Sequence, residues 1–519
     1  FWPTPLPDGD LAFISTRCTC RVFCWRPQSS VLFRMKPDGS GIRPVSLANL
    51  TEWAPSMMND GRIIWTRWEY VDKGADFGHT LWSIRPDGTH PELVFGNDII
   101  QPNGYANGRQ VPGTNEIACT LISHFGDLNG PIALLNLDQG RFDPTAIKCL
   151  TPEVPWPGAP PFEECFREPY PVSRDYVLCS HAARKQFGLY LIDRYGNREL
   201  IYTEPETLKP EGLDCMCPTP FRPSPRPPVL PELVAAADEP GEFDLADVYA
   251  GLEPAVPRGA IKYLRVVEEV QHTLALQPDG EYRKDHEVFM DFYASPVDKV
   301  NGPNGWPTYV AKTSQGLVPV EEDGSARFKA PAGKVLYFQV LDKDYNELQR
   351  MRSVVHLQAG EKRSCIGCHE DRQMAAPPSG PPAARTLARE IDAPSWGAEA
   401  FSYEGVVQPV LDAKCVSCHN EKHDAGLDFR GAHDADKVPA SYRTLITKGL
   451  VNYVDCGWNS GGCEKLAPAT FSSLKSRLWD VLNQGHHEVR LTPDETLRIK
   501  TWIDLNCPLW PDYVDRNLR

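Results

Sequence analysis

The chain has 519 residues and a mass of 58.0 kDa, enough for two to four domains, each with its own core. A net charge of −15 and a pI near 5.4 argue against a nucleic-acid partner, and no run of basic residues suggests an anionic membrane surface. No apolar run reaches the ~18 residues that cross a bilayer, and the opening Phe1-Trp2-Pro3-Thr4-Pro5 lacks a charged start and an apolar signal region, so a cleaved leader would leave no trace here.

Residues 1–217 read as short strands separated by Gly, Pro, Asn and Asp turns. They also repeat. Pro7-Asp8-Gly9 and Asn59-Asp60-Gly61 each precede a strand-like run, and Val31 to Gly39 matches Thr80 to Gly88 at the same period of about fifty residues. Weaker copies lie at Ile132 to Gly140 and Gly188 to Asn197. An alternating strand ending in Asp-Gly makes a tight hairpin, and a period of ~40–50 residues fits the blades of a β-propeller, completed or not by later strands; an irregular β-sandwich is the alternative. Cys18, Cys20 and Cys24, and likewise Cys215 and Cys217, are spaced too tightly to pair with nearest neighbours and suggest disulfides to distant partners such as Cys119, Cys149, Cys165 or Cys179; a metal site on the first cluster is the alternative.

Residues 218–239 hold a Pro-rich run that lacks the amide donors for a sheet ladder and reads as a stiff connector. Residues 240–375 return to strand signals and suggest a β-rich, sandwich-like middle domain. It ends in Cys365-Ile-Gly-Cys368-His369, and Cys415-Val-Ser-Cys418-His419 repeats the C-x-x-C-H pattern about fifty residues later. Two cysteines three apart can form thioethers to the vinyl groups of one haem, with the adjacent histidine on the iron. Two covalent haems c are expected. One zinc shared by the four cysteines is the alternative, although zinc ribbons hold their pairs ~15–20 residues apart. Because a sandwich interior has no room for a macrocycle, the first haem is expected at a seam between domains.

Residues 376–395 form a second linker, and residues 396–519 turn helical, as in a small cytochrome c domain. Val406, Val407, Val410 and Leu411 give an apolar face leading to Cys415. Thr492, Pro493 and Glu495 mark the start of a last helix with a capping box. Gly485-His486-His487 can supply a sixth iron ligand opposite His419, with His423 and His433 as competitors. A fully ligated iron there would suit electron transfer. For the first haem, Met374 is too close to its own motif, and His356, His286, His272, His181 and His124 are scattered, so an open iron held by His369 is the candidate substrate site. Twelve cysteines beyond the haem motifs, together with haem c itself, point to an extracytoplasmic setting (periplasm, an equivalent compartment or the exterior). Cys456 and Cys463 bracket a Gly-rich loop short enough for a local disulfide.

Trp65 to Lys73, Gly188 to Leu200, the Pro/Arg-rich connector, Ser364 to Glu370 and Thr501 to Asn506 resemble the hydrazine synthase α-subunit family of two-haem proteins. The resemblance runs over the whole chain in the same domain order. It implies a propeller, a middle domain with the active haem, and a C-terminal electron-transfer haem, in an oligomer or complex with other haem subunits or a partner cytochrome. In the namesake enzyme, nitric oxide and ammonium become hydrazine. A tyrosine four residues after the first motif ligates the active haem there, and the motif's histidine turns to zinc. This chain has Gln373 at that position and no tyrosine before Tyr403, so the resemblance implies the fold more directly than the reaction. Two readings follow. In one, the first haem acts on a small nitrogen or oxygen compound and the second relays electrons. In the other, both haems are six-coordinate and the chain is an electron carrier or a haem-bearing module. A weaker third has the propeller bind a partner while the haems sense redox state.

Overall fold

The computed structural model describes residues 1–22, 28–69, 71–74, 78–124, 128–156, 164–182, 186–205, 213–235, 239–272, 275–276, 282–283, 300–308, 310–369, 375, 387–456 and 465–513. The Asp-Gly signals of the N-terminal third are hairpin turns. Asp8, Asp38, Asp60 and Asp87 each accept a hydrogen bond from the backbone N–H two residues on, at 3.1, 2.9, 3.0 and 3.0 Å. Gly9, Gly39, Gly61 and Gly88 follow with φ of 101°, 83°, 89° and 93°, the region that glycine enters without steric cost.

These turns organise four antiparallel four-stranded meanders in chain order, the second and third joined into one eight-stranded sheet by a parallel contact between His79 and Gly104. The first is β1 (Thr4–Pro5), β2 (Leu11–Ser15), β3 (Val31–Met35) and β4 (Arg43–Pro44). The second is β5 (Glu52–Met57), β6 (Ile63–Trp68), β7 (His79–Ile84) and β8 (Glu92–Phe95). The third is β9 (Gly104–Gln110), β10 (Glu116–Ile122), β11 (Ile132–Asn136) and β12 (Ile147–Cys149), and the fourth β13 (Cys165–Pro171), β14 (Tyr176–Ala182), β15 (Phe187–Asp193) and β16 (Arg198–Tyr202). The first strands β1, β5, β9 and β13 lie side by side in that order. Thr4 Oγ1 donates to Pro55 O at 2.8 Å, Ser56 Oγ to Gly108 O at 2.7 Å, and Glu168 N to Thr120 Oγ1 at 3.2 Å. At or just before each first strand one non-glycine residue is left-handed: Trp2, Ala54, Asn107 and Glu168, with φ of 47°, 53°, 55° and 55°.

The Pro-rich connector is fastened to the turns it crosses. Arg226 Nε donates to Pro7 O at 2.7 Å, Arg85 Nη2 to Pro231 O at 2.6 Å, and Leu233 N to Asp87 Oδ2 at 2.8 Å.

Beyond it come β17 (Gly241–Leu245), β18 (Tyr263–Glu269), the short pair β19 (Ala275–Leu276) and β20 (Tyr282–Arg283), β21 (Lys312–Pro319), β22 (Ala326–Ala330), β23 (Leu336–Leu341), β24 (Glu347–Arg350) and β25 (Lys362–Cys365). Two sheets, ordered β22-β17-β25 and β21-β18-β23-β24, enclose one apolar core. Phe243, Leu245 and Phe328 come from the first sheet, and Leu264, Val266 and Val340 from the second. Each such side chain contributes about 1.5–3 kcal/mol by burial.

Among the described residues five α-helices follow: α1 (Tyr403–Val406), α2 (Gln408–Lys414), α3 (Ala440–Thr447), α4 (Arg477–Asn483) and α5 (Pro493–Asp504). Val406, Val407, Val410 and Leu411 pack on Tyr442, Leu445, Trp502 and Ile503. Both bonds of the capping box form: Glu495 N donates to Thr492 Oγ1 at 3.2 Å and Thr492 N to Glu495 Oε2 at 2.7 Å. The chain is thus mainly β and multidomain, with its helices gathered near the C-terminus. Among the described residues no helix is long and apolar enough to cross a membrane.

The disulfide expectation needs correction. None of the fourteen described cysteines is in a disulfide; Cys24 and Cys463 lie outside the described residues. Register explains the clearest case. Cys119 and Cys149 both face Ala133 from opposite neighbouring strands, which sets them two strand spacings apart, ~9–10 Å, beyond the ~7 Å reach of a disulfide.

Candidate functional site

The first motif begins on a strand. β25 pairs in parallel with β17, Leu245 opposite Cys365, so Arg363 and Cys365 share the inward face that Phe243 and Leu245 also use. Past the strand end the motif folds against the Ala250–Gly251 turn, with His369 N donating to Ala250 O at 3.3 Å. Gly251 has φ 81°, and a Cβ there would run into the His369 carbonyl; one on Gly367 would run into Ala250.

Cys365, Cys368 and His369 line a cavity of about 250 Å³, below the roughly 300–1,000 Å³ of ligand and cofactor pockets. The cavity joins loops of the second and third meanders to the sandwich. Phe243, Leu245, Phe328, Leu264, Phe338 and Val340 line it, so the cavity continues between the two sheets, a space the sequence reading had closed. Burial, with the charge of Lys465 adding, pulls the His369 imidazole down to about 4, which keeps it neutral and able to ligate a metal. Arg363 supplies an orphan: its buried Nη1 has no hydrogen-bond partner. A haem carboxylate fits that nitrogen, and the apolar floor fits a macrocycle.

The second motif follows α2, whose C-cap is Cys415. His419 N donates to Cys415 O at 2.8 Å, and Cys418 is exposed. The Nε2 atoms of His419 and His486 face each other at 3.4 Å, with their rings 20° from parallel. A metal between two imidazoles, at ~2.0–2.1 Å from each nitrogen, needs only a slight opening of this pair. Burial, then the neighbouring His423, His486 and His487, lowers the His419 pKa, so the ring is a neutral ligand. His487 sits beside His486 at a ring separation of 4.7 Å. His423 packs 4.5 Å from His419, and His433 is turned away to Glu404, at 3.2 Å.

The remaining candidates are elsewhere. His356 Nε2 lies 3.2 Å from Gly88 O, His181 stacks on Phe166, His124 pairs with His79, and His272 packs on Tyr513; none lines the cavity. His286, Gln373 and Met374 lie outside the described residues. Tyr403 is buried, with its hydroxyl donating to Ser441 Oγ at 2.9 Å inside the helical unit. The four motif cysteines form no joint site, and among the described residues no group of three or more His, Cys, Asp or Glu could hold a metal ion. Sequence reasoning missed the cavity walls from the meanders, including Lys73, Asp98 and Arg141, and from the segment at Lys465; their separation along the chain left no local signal.

Fold and site define a mainly-β multidomain chain that sets one C-x-x-C-H motif in a cavity between units and the other opposite a histidine in a helical unit. Residues 259–370 match the family model described as hydrazine synthase alpha subunit middle domain. Among solved structures, Kuenenia stuttgartiensis hydrazine synthase superposes with a TM-score of 0.69 at 16% identity, over 98% of this chain and 79% of that one. TolB from Acinetobacter baumannii gives 0.27 at 12% identity, over 38% and 42%. No curated protein matches. Residues 259–370 thus resemble the middle domain of the hydrazine synthase alpha subunit, and the chain as a whole shares the fold of the solved hydrazine synthase.

Proposed function

We propose that the chain is an extracytoplasmic di-haem c-type redox protein. Cys365, Cys368 and His369 hold a haem that acts on a small nitrogen or oxygen compound, and Cys415, Cys418 and His419, with His486 opposite, hold a haem that relays electrons. The observation that carries the reading is an asymmetry: His419 meets His486 at 3.4 Å, whereas His369 looks into a cavity. Haem c supplies one-electron chemistry and, where an axial position is open, a site for diatomic and similarly small ligands. The chain's own part is to fix both imidazoles neutral, to meet a haem carboxylate with Arg363, and to wall off water with the sandwich floor.

The four meanders are taken as propeller blades, a reading supported by their fifty-residue period, their adjacent first strands and the left-handed residue repeated in each. That surface would dock a partner cytochrome or other haem subunits. Hydrazine synthesis is not carried over, because Gln373 stands at the tyrosine position. A second reading, a pure electron carrier, is favoured by Met351, whose side chain lines the same cavity and could close the iron with its thioether. Absorption and EPR spectra with and without carbon monoxide decide between them. One high-spin, gas-binding haem beside one low-spin haem supports the first reading; two low-spin haems indifferent to gas support the second.

A further inference from the structure

The cavity beside His369 departs sharply from the charge of the protein around it. Six cations line it: Lys73, Arg141, Arg350, Arg352, Arg363 and Lys465. Only Glu92 and Asp98 carry negative charge there. The formal balance, six positive less two negative, is +4 in a chain whose net charge is −15. Two haem carboxylates would lower it to +2 and leave it positive. A cleft of one sign with low-dielectric walls focuses its field and concentrates ligands of the opposite sign.

The lining is also polarised. The apolar residues come mainly from the sandwich, whereas Lys73 and Arg141 come from loops of the second and third meanders; Lys73 is buried and Lys465 exposed. Glu92 is matched by Arg62 at 2.9 Å, Lys73 by Glu69 at 3.6 Å, and Arg350 by Asp72 at 2.7 Å and by Glu347. Asp98 has no hydrogen bond or ion pair to a described residue. Burial pushes its carboxyl up although Lys73, Lys465 and Arg352 pull it down.

Building on the open-iron reading, we infer that the cavity beside His369 admits its nitrogen compound as a small oxyanion of the nitrite class, drawn in by the lining cations Arg141, Arg352 and Lys465. A neutral nitrogen oxide gains nothing from this field, and ammonium is repelled by it.

The test uses the full chain with both haems attached. Sodium nitrite is titrated while the first haem is followed by absorption and EPR, at about 0.02 M and about 0.5 M ionic strength, with nitric oxide as the neutral probe. Nitrite should bind the first haem with a Kd that rises severalfold with salt. Lys465→Glu, on an exposed residue, should weaken it about tenfold further, and Asp98→Asn should tighten it. Nitrite affinity indifferent to salt and to both substitutions overturns the inference, as does nitric oxide binding without any nitrite binding; the open-iron reading then stands. If neither probe perturbs either haem, both the inference and the open-iron reading fall.

Discussion

His419 and His486 present their Nε2 atoms to one another at 3.4 Å across 67 residues of chain. That approach is made by two loops, one after α2 and one after α4, and not by a shared element. His487 is the adjacent alternative, but its φ of 44° marks a sharp turn at that point. On the di-haem reading proposed above, His486→Ala should therefore convert the second haem from low to high spin and open it to carbon monoxide. His487→Ala should leave the low-spin signal in place. EPR of the two variants in the oxidised state reads the difference directly.

Gly251 and His369 are coupled by lack of space. With φ at 81° and the His369 carbonyl where a Cβ would sit, Gly251→Ala must displace the histidine or the turn. The expected outcome is loss of haem at the first motif alone. The haem content falls from two per chain to one, and peptide mass spectrometry finds Cys415 and Cys418 modified but Cys365 and Cys368 free.

Sequence pattern made some of this legible. The Asp-Gly turns, the two C-x-x-C-H motifs, the capping box at Thr492 and the Gly485-His486-His487 run are local signals, each with chemistry contained within a few residues. The cavity was not legible, because its walls come from Lys73, Asp98, Phe243, Met351 and Lys465, which only the packing of separate units brings together. The sulfur chemistry also misled. The sequence offers Cys119 and Cys149 as disulfide partners for the clustered cysteines, whereas no described cysteine is in a disulfide.

Asp72 ties three units at one buried point. Burial alone would raise its carboxyl, but Lys312 and Arg350 outweigh it and hold it below the usual carboxylate range. Arg350 Nη1 donates to Asp72 Oδ2 at 2.7 Å, Lys312 donates to Oδ1, and Arg352 Nε reaches the Asp72 carbonyl at 2.9 Å. Removing one partner of a buried ionic group leaves uncompensated charge, typically at a cost of about 3–5 kcal/mol. Asp72→Asn should lower the urea midpoint accordingly. Because Arg350 and Arg352 also line the cavity, it should perturb the spectrum of the first haem and leave the second unchanged.

Glu269, the last residue of β18, is 4% exposed. Burial pushes its carboxyl up to about 7 from 4.5; the charge of Glu69 adds to this, and a hydrogen bond from Asn49 opposes it. The folded chain therefore binds this proton more tightly than the unfolded chain does. Between the unfolded value of 4.5 and the folded value of about 7, the native state carries more protons, so stability falls as pH rises through that window. The loss is up to about 3 kcal/mol. Glu269→Gln cannot ionise and keeps most of the shape. It should match the parent chain near pH 4.5 and be the more stable of the two at pH 8, with the gap opening across the window. Urea denaturation of both chains at several pH values checks this; a constant gap at every pH would mean that Glu269 is not the group that titrates.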